Sequence, residues 1–116
     1  MKFYSFCANS FDINATNPYT SAVYSGEACV GFVAYYLNDD GRFVYVPQVV
    51  VHKNGRHQGV GHLMFSALFA KYASKYDTVR LEVLKENHNA REFYIREGFS
   101  VLKDHNERLL LERRII

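Results

Sequence analysis

The sequence predicts an α/β chain, a mixed β-sheet with helices packed on its faces. Three observations carry this. ACVGFVAYYL at 28–37 and FVYVPQVVVH at 43–52 are β-branched and aromatic runs on either side of Asn38-Asp39-Asp40-Gly41, a strong turn signal. Gly59-Val60-Gly61 leads directly into apolar residues at helical spacing. TVRLEVL at 78–84 then alternates apolar and other residues ahead of a second, capped helical segment.

Taken in order, residues 1–26 are the least legible, with Asn9, Asn14, Asn17, Pro18 and scattered aromatics but no clean period. Only a short strand near 3–7 is predicted there. The runs 28–37 and 43–52 form an antiparallel hairpin, and Pro47, which has no N–H, argues for a bulge or a break in pairing that lets the strand splay from its neighbour. Val60, Leu63, Met64, Ala67 and Leu68 recur at i, i+3, i+4, i+7 and i+8, the stripe of a core-facing helix. Lys71 and Lys75 fall in its last turns, where cations suit the helix dipole. In the strand at 78–84, Glu82 faces away from Leu81. Asn87-His88-Asn89 offers a cap, Ala90, Phe93 and Tyr94 share one face of a short helix, and Gly98 ends it. Residues 99–102 and 108–115 close the sheet around a turn at 103–106, with Arg113-Arg114 read as a solvated end.

The chain has 116 residues, a length that predicts one domain over 1–116, with a core at 28–116 and a short, atypical opening segment. Hydrophobic residues at 48% and charged residues at 22% exclude a disordered class and give enough apolar side chain for a core. No run approaches the roughly 20 apolar residues of a membrane span, and MKFYSFCANS lacks a signal-peptide core, so a cytoplasmic protein without a membrane partner is expected. Cys7 and Cys29 are too few for a disulfide framework and lack metal-site spacing. Asn14-Ala15-Thr16 matches the glycosylation pattern by chance in a protein that is not secreted. The net charge of +2 gives little support to a nucleic-acid partner. Its distribution says more. Between Gly41 and Tyr76 there is no Asp or Glu, while Arg42, Lys53, Arg56, Lys71 and Lys75 all fall there, which points to an anionic ligand.

A strand that feeds a glycine-rich, basic turn into a helix N-terminus is suited to phosphate. The first backbone N–H groups of the helix lack internal partners, the dipole is positive, and glycine allows close approach. Two common phosphate loops do not fit. A Walker A loop needs Lys-Ser/Thr after its last glycine, where this chain has His62-Leu63, and a dinucleotide fingerprint needs a third glycine where Met64 stands. His52, His57 and His62, five residues apart on a strand-loop-helix path, point in different directions, so no metal site is expected.

Arg56-His57-Gln58-Gly59-Val60-Gly61 resembles the Arg/Gln-x-x-Gly-x-Gly/Ala loop of the GNAT superfamily of acyl-CoA N-acyltransferases. Asn87-x-x-Ala90-x-x-Phe93-Tyr94-x-x-x-Gly98-Phe99 is similar to the family's second signature in every anchored position. Together the two patterns, in order around a strand, identify residues 28–116 as resembling that fold. Family members usually place a strand and one or two helices before this region, and 26 residues is a tight fit for them.

The resemblance implies an acetyltransferase that takes acetyl-CoA as cosubstrate and needs no metal. The coenzyme A pyrophosphate is expected on Arg56, His57, Gln58, Gly59, Val60 and Gly61, with Lys53 nearby. The pantetheine arm is expected along Val49, Val50 and Val51, with a backbone N–H there polarising the thioester carbonyl, and with Asn87 touching the pantetheine as well as capping its helix. A primary amine with an ordinary pKa near ~10 is mostly protonated at neutral pH, so a base is needed. Glu82, twelve residues before Tyr94, sits where N-terminal protein acetyltransferases of the superfamily carry theirs. The bland alternative is a strand glutamate paired with Arg80 or Lys85. Tyr94 is placed by the motif to protonate the leaving thiolate, the alternative being a core tyrosine. The acceptor is an amine on a small molecule, peptide or protein, and family members often form homodimers. The competing reading is a non-catalytic binding or structural module of the same fold in a larger assembly.

Overall fold

The computed structural model describes residues 2–5, 19–52 and 59–116. The elements run β1 (Lys2–Ser5), β2 (Tyr19–Ser25), β3 (Ala28–Asn38), β4 (Phe43–Val51), α1 (Val60–Tyr72), β5 (Thr78–Leu84), α2 (His88–Arg96), β6 (Ser100–His105) and β7 (Arg108–Arg114). The strands pair in the order β1-β2-β3-β4-β5-β7-β6. The sheet is mixed, with a parallel β4–β5 pair and antiparallel β1–β2, β2–β3, β5–β7 and β6–β7 pairs. This is the α/β class expected from the sequence, with one strand more at the start. The chain divides into two compact units, residues 1–36 with 47–68, and residues 37–46 with 69–116.

In the first unit, β2 is the element that periodicity misses. It joins β3 through Gly26, whose φ of 62° is the left-handed conformation that glycine adopts without strain. Ser21, Ala22 and Val23 are all buried in succession, so neither strict alternation nor apolarity marks the strand. Tyr19 stacks on Tyr35 with centroids 5.7 Å apart. The core of this unit is Val23, Val30, Val33, Tyr35, Val60, Met64, Phe65 and Leu68. Leu63 and Ala67, expected in the core stripe of α1, are only half-buried, and Phe65 is buried in their place. The helix is apolar almost all round, so spacing alone does not select the inward face.

Gly31 sets how closely α1 approaches the strands. A Cβ there would lie 2.8 Å from Val60 Cγ1, 3.1 Å from the Val50 carbonyl oxygen and 3.4 Å from Met64 Sδ. Gly31→Ala is therefore expected to destabilise the fold by about 1–3 kcal/mol through overpacking. A lowered denaturant midpoint at unchanged m-value checks this, and an unchanged midpoint would show that the helix start yields freely.

In the second unit, β5 buries Val79, Leu81 and Val83 on one face, and β7 buries Leu109 and Leu111 beside them. Phe69 of α1 meets Phe99 at 6.0 Å, and Tyr72 meets Tyr76 at 5.7 Å. Gly98 has φ 96°, and a Cβ there would lie 2.9 Å from Arg113 Nε. Arg113 is thus not the solvated end that the sequence suggests. Its guanidinium lies 4.1 Å from the Phe69 ring centroid and donates to the Glu97 carbonyl at 2.8 Å. The closing hairpin is longer than expected, because β6 continues to His105 and the chain turns at Asn106, which has φ 74° and donates its N–H to Asp104 Oδ1. All six residues of β6 are exposed. Among the described residues no helix is long and apolar enough to cross a membrane.

Candidate functional site

In the first unit the site begins at the end of β4. The β4–β5 ladder registers Phe43, Val44 and Tyr45 with Thr78, Val79 and Arg80 and ends there, two residues before Pro47. Beyond the proline, Val49, Val50 and Val51 are half-buried, and the N–H of His52 donates to the Val30 carbonyl at 2.7 Å. Arg56, His57 and Gln58, expected to hold the pyrophosphate, lie outside the described residues, as does Lys53.

Gly59 has φ 77°, and a Cβ on it would meet none of the described residues within 4 Å. Its carbonyl accepts the N–H of Leu63 at 2.9 Å, the bond that opens α1. The N–H groups of Val60 and Gly61 therefore precede the helical ladder, and the first turn carries no acidic side chain. A helix N-terminus that opens on a left-handed glycine, with a positive dipole and no acid in its first turn, suits an anion such as phosphate. Gly31 ties this turn to the strand, since the position of its missing Cβ is flanked by both Val60 and the Val50 carbonyl. His62, one residue further on, has its ring 3.5 Å from Ser66 Oγ.

In the second unit, Asn87 caps α2, its side-chain oxygen accepting the N–H of Ala90 at 3.3 Å. Tyr94 is half-buried and packs edge-on against Phe99, with centroids 5.6 Å apart at 71°. Burial pushes its hydroxyl above the ordinary tyrosine value, which keeps it protonated at neutral pH.

Glu82 lies half-buried on the β5 face opposite Leu81, as its position in the strand predicts. The two cations beside it in sequence are engaged elsewhere, Arg80 with Glu112 at 3.1 Å and Lys85 with Asp104 at 2.7 Å. Glu82 Oε1 instead accepts a hydrogen bond from the Tyr45 hydroxyl at 3.2 Å. Its Oε2 lies 3.6 Å from His105 Nδ1. Sequence reasoning missed both partners. Tyr45 was within reach of it, because a parallel register between the two strands sets Tyr45 against Arg80, two residues before Glu82. His105 was not, because its place depends on how far β6 runs before turning. Burial first, and then the adjacent Glu82 carboxylate, raise the Tyr45 hydroxyl above the ordinary phenol value, so it stays a donor.

The family model described as the acetyltransferase (GNAT) family matches residues 2–99. Among solved structures, that of nourseothricin acetyltransferase superposes with a TM-score of 0.75 at 19% identity, over 87% of this chain and 67% of that one. The ribosomal-protein-S18-alanine N-acetyltransferase from Escherichia coli superposes with a TM-score of 0.75 at 15% identity, over 86% and 70%. The PaiA N-acetyltransferase from Thermoplasma acidophilum, solved with coenzyme A, gives 0.77 at 15% identity, over 84% and 61%. At these identities the likeness is one of fold. No curated protein matches the sequence.

Proposed function

Because the chain belongs to the GNAT family of acetyltransferases, we propose that it transfers an acetyl group from acetyl-CoA to a primary amine by direct attack in a ternary complex. The observation that carries this reading is the start of α1, where Gly59 is left-handed, no described residue lies within 4 Å of its Cβ position, and the first turn carries no acid. In this reading the backbone there holds the pyrophosphate, joined by Arg56, His57 and Gln58. The pantetheine runs along Val49, Val50 and Val51, beyond the point where the β4–β5 ladder ends. A backbone N–H near Val50 or Val51 polarises the thioester carbonyl.

Glu82 takes a proton from the acceptor ammonium, and the free amine attacks the carbonyl carbon. The attacking nitrogen then loses its second proton to water, the C–S bond breaks as the tetrahedral intermediate collapses, and Tyr94 donates a hydrogen bond or proton to the sulfur. The raised tyrosine value supports an acid that is present at neutral pH.

Calorimetric titration with acetyl-CoA tests the donor half. Saturable binding is expected with a Kd within about 1 µM to 1 mM, the span of ordinary substrate constants. Dephospho-CoA in parallel measures what the basic loop adds. Absence of binding at millimolar acetyl-CoA would replace this reading with that of a non-catalytic module.

A further inference from the structure

Each carboxylate oxygen of Glu82 has a different neighbour, a phenol hydroxyl at Oε1 and an imidazole nitrogen at Oε2. We propose that Tyr45 and His105 are positioning residues for Glu82, Tyr45 holding Oε1 while His105 carries to solvent the proton that Glu82 takes from the acceptor. This rests on the reading of Glu82 as the base.

Tyr45 donates to Oε1 at 3.2 Å, which fixes the carboxylate's rotation and leaves Oε2 to receive a proton. His105 Nδ1 stands 3.6 Å from Oε2, an ion-pair separation that a small side-chain rotation or one water closes to a hydrogen bond. The side chain of Glu82 is 29% exposed and that of His105 is 40% exposed, so the imidazole is the more open of the two. Imidazole has two ring nitrogens, so it can accept a proton on one side and release one on the other.

Other charged and titratable groups reach this face from each neighbouring strand. Arg80 of β5 and Glu112 of β7 are paired with each other here, while Lys85 is paired with Asp104, which register sets opposite Leu109 on the other face. By register Arg108 of β7 and Lys103 of β6 also lie on this face.

The first of the two protons that the ammonium loses follows a defined path. An N–H bond of the acceptor ammonium breaks, its electron pair stays on nitrogen, and an O–H bond forms at Oε2. That O–H bond then breaks as Nδ1 is protonated, the imidazolium loses a proton from Nε2 to water, and exchange with solvent restores the tautomer whose Nδ1 accepts.

The test is acetyl-CoA turnover followed by thiol release, with an alanyl peptide, a lysyl peptide or spermidine as acceptor, and with water as acceptor if none of these reacts. Glu82→Gln is expected to lower kcat about tenfold or more. His105→Asn is expected to lower it ~10-fold in dilute buffer with KM for the acceptor within about twofold, and added imidazole should restore the rate. Tyr45→Phe should lower kcat ~5-fold without imidazole rescue, since it removes orientation and not exchange. His105 lies on a fully exposed strand, so its substitution spares the core. Wild-type kcat in His105→Asn beside a slow Glu82→Gln would overturn the relay and leave the base standing. A slow His105→Asn that imidazole does not restore would overturn the relay too. Undiminished turnover in Glu82→Gln, or no turnover by the wild type above the buffer rate, would remove the base and the relay together.

Discussion

Gly61→Glu is expected to weaken acetyl-CoA binding ~10³-fold while the protein stays as stable as before, or becomes more so. The two effects separate because the same position matters differently to the helix and to the ligand. Gly61 lies in the first turn of α1, which has no acidic side chain. Glutamate is a better helix former than glycine by about 0.5 kcal/mol, and an acid at a helix N-terminus adds about 0.3–1 kcal/mol more. For a pyrophosphate at this turn, the new carboxylate is a like charge at contact, which costs several kcal/mol, roughly three decades of affinity. Calorimetry and thermal melting on one preparation read both quantities. Gly61→Gln adds similar bulk without charge and should fall between the two, and high salt should recover part of the loss in Gly61→Glu alone. An unchanged Kd in Gly61→Glu would take the pyrophosphate away from this turn.

The elements most legible in the sequence are those whose own side chains specify them. The hairpin of β3 and β4 announces itself by aromatic and β-branched runs around Asn38-Asp39-Asp40-Gly41, β5 by alternation, and α2 by the Asn87 cap and the Gly98 stop. What was hidden depends on partners distant in sequence. β2 is a strand because β1 and β3 flank it, and its buried Ser21 hides it from any apolar count. The inward face of α1 is chosen by Gly31, which leaves room for Val60 and Met64, and not by the helix's own pattern. Arg113, in β7, is held by the Glu97 carbonyl sixteen residues before it and by Phe69 of α1, so charge alone misread it. The site divides in the same way. Glu82 and Tyr94 stand at positions that motif spacing marks, while Tyr45 and His105 come to Glu82 only through strand register and hairpin length.

Tyr94→Phe is expected to lower kcat ~10²-fold with the Kd for acetyl-CoA within about twofold. The ring and its edge-on contact with Phe99 survive the change, so fold and donor binding should be kept. General acid assistance ordinarily contributes about 10²–10⁴, and two opposing facts set where this case falls. Burial raises the Tyr94 hydroxyl, so the donor form is fully present at neutral pH. The ordinary values, ~10 for a phenol and ~8.5 for a thiol, already make full transfer to the thiolate uphill by about 2 kcal/mol, and burial widens that gap. The hydroxyl therefore helps mainly as a hydrogen-bond donor to the sulfur while charge develops, which places the effect at the low end of the range. The pH dependence follows with a definite sign. A donor whose value is raised keeps its proton to higher pH, so the alkaline fall in kcat should begin above about pH 10 in the wild type and be missing in the variant. Equal kcat in the two proteins across that range would mean that water protonates the thiolate and that Tyr94 serves only as packing.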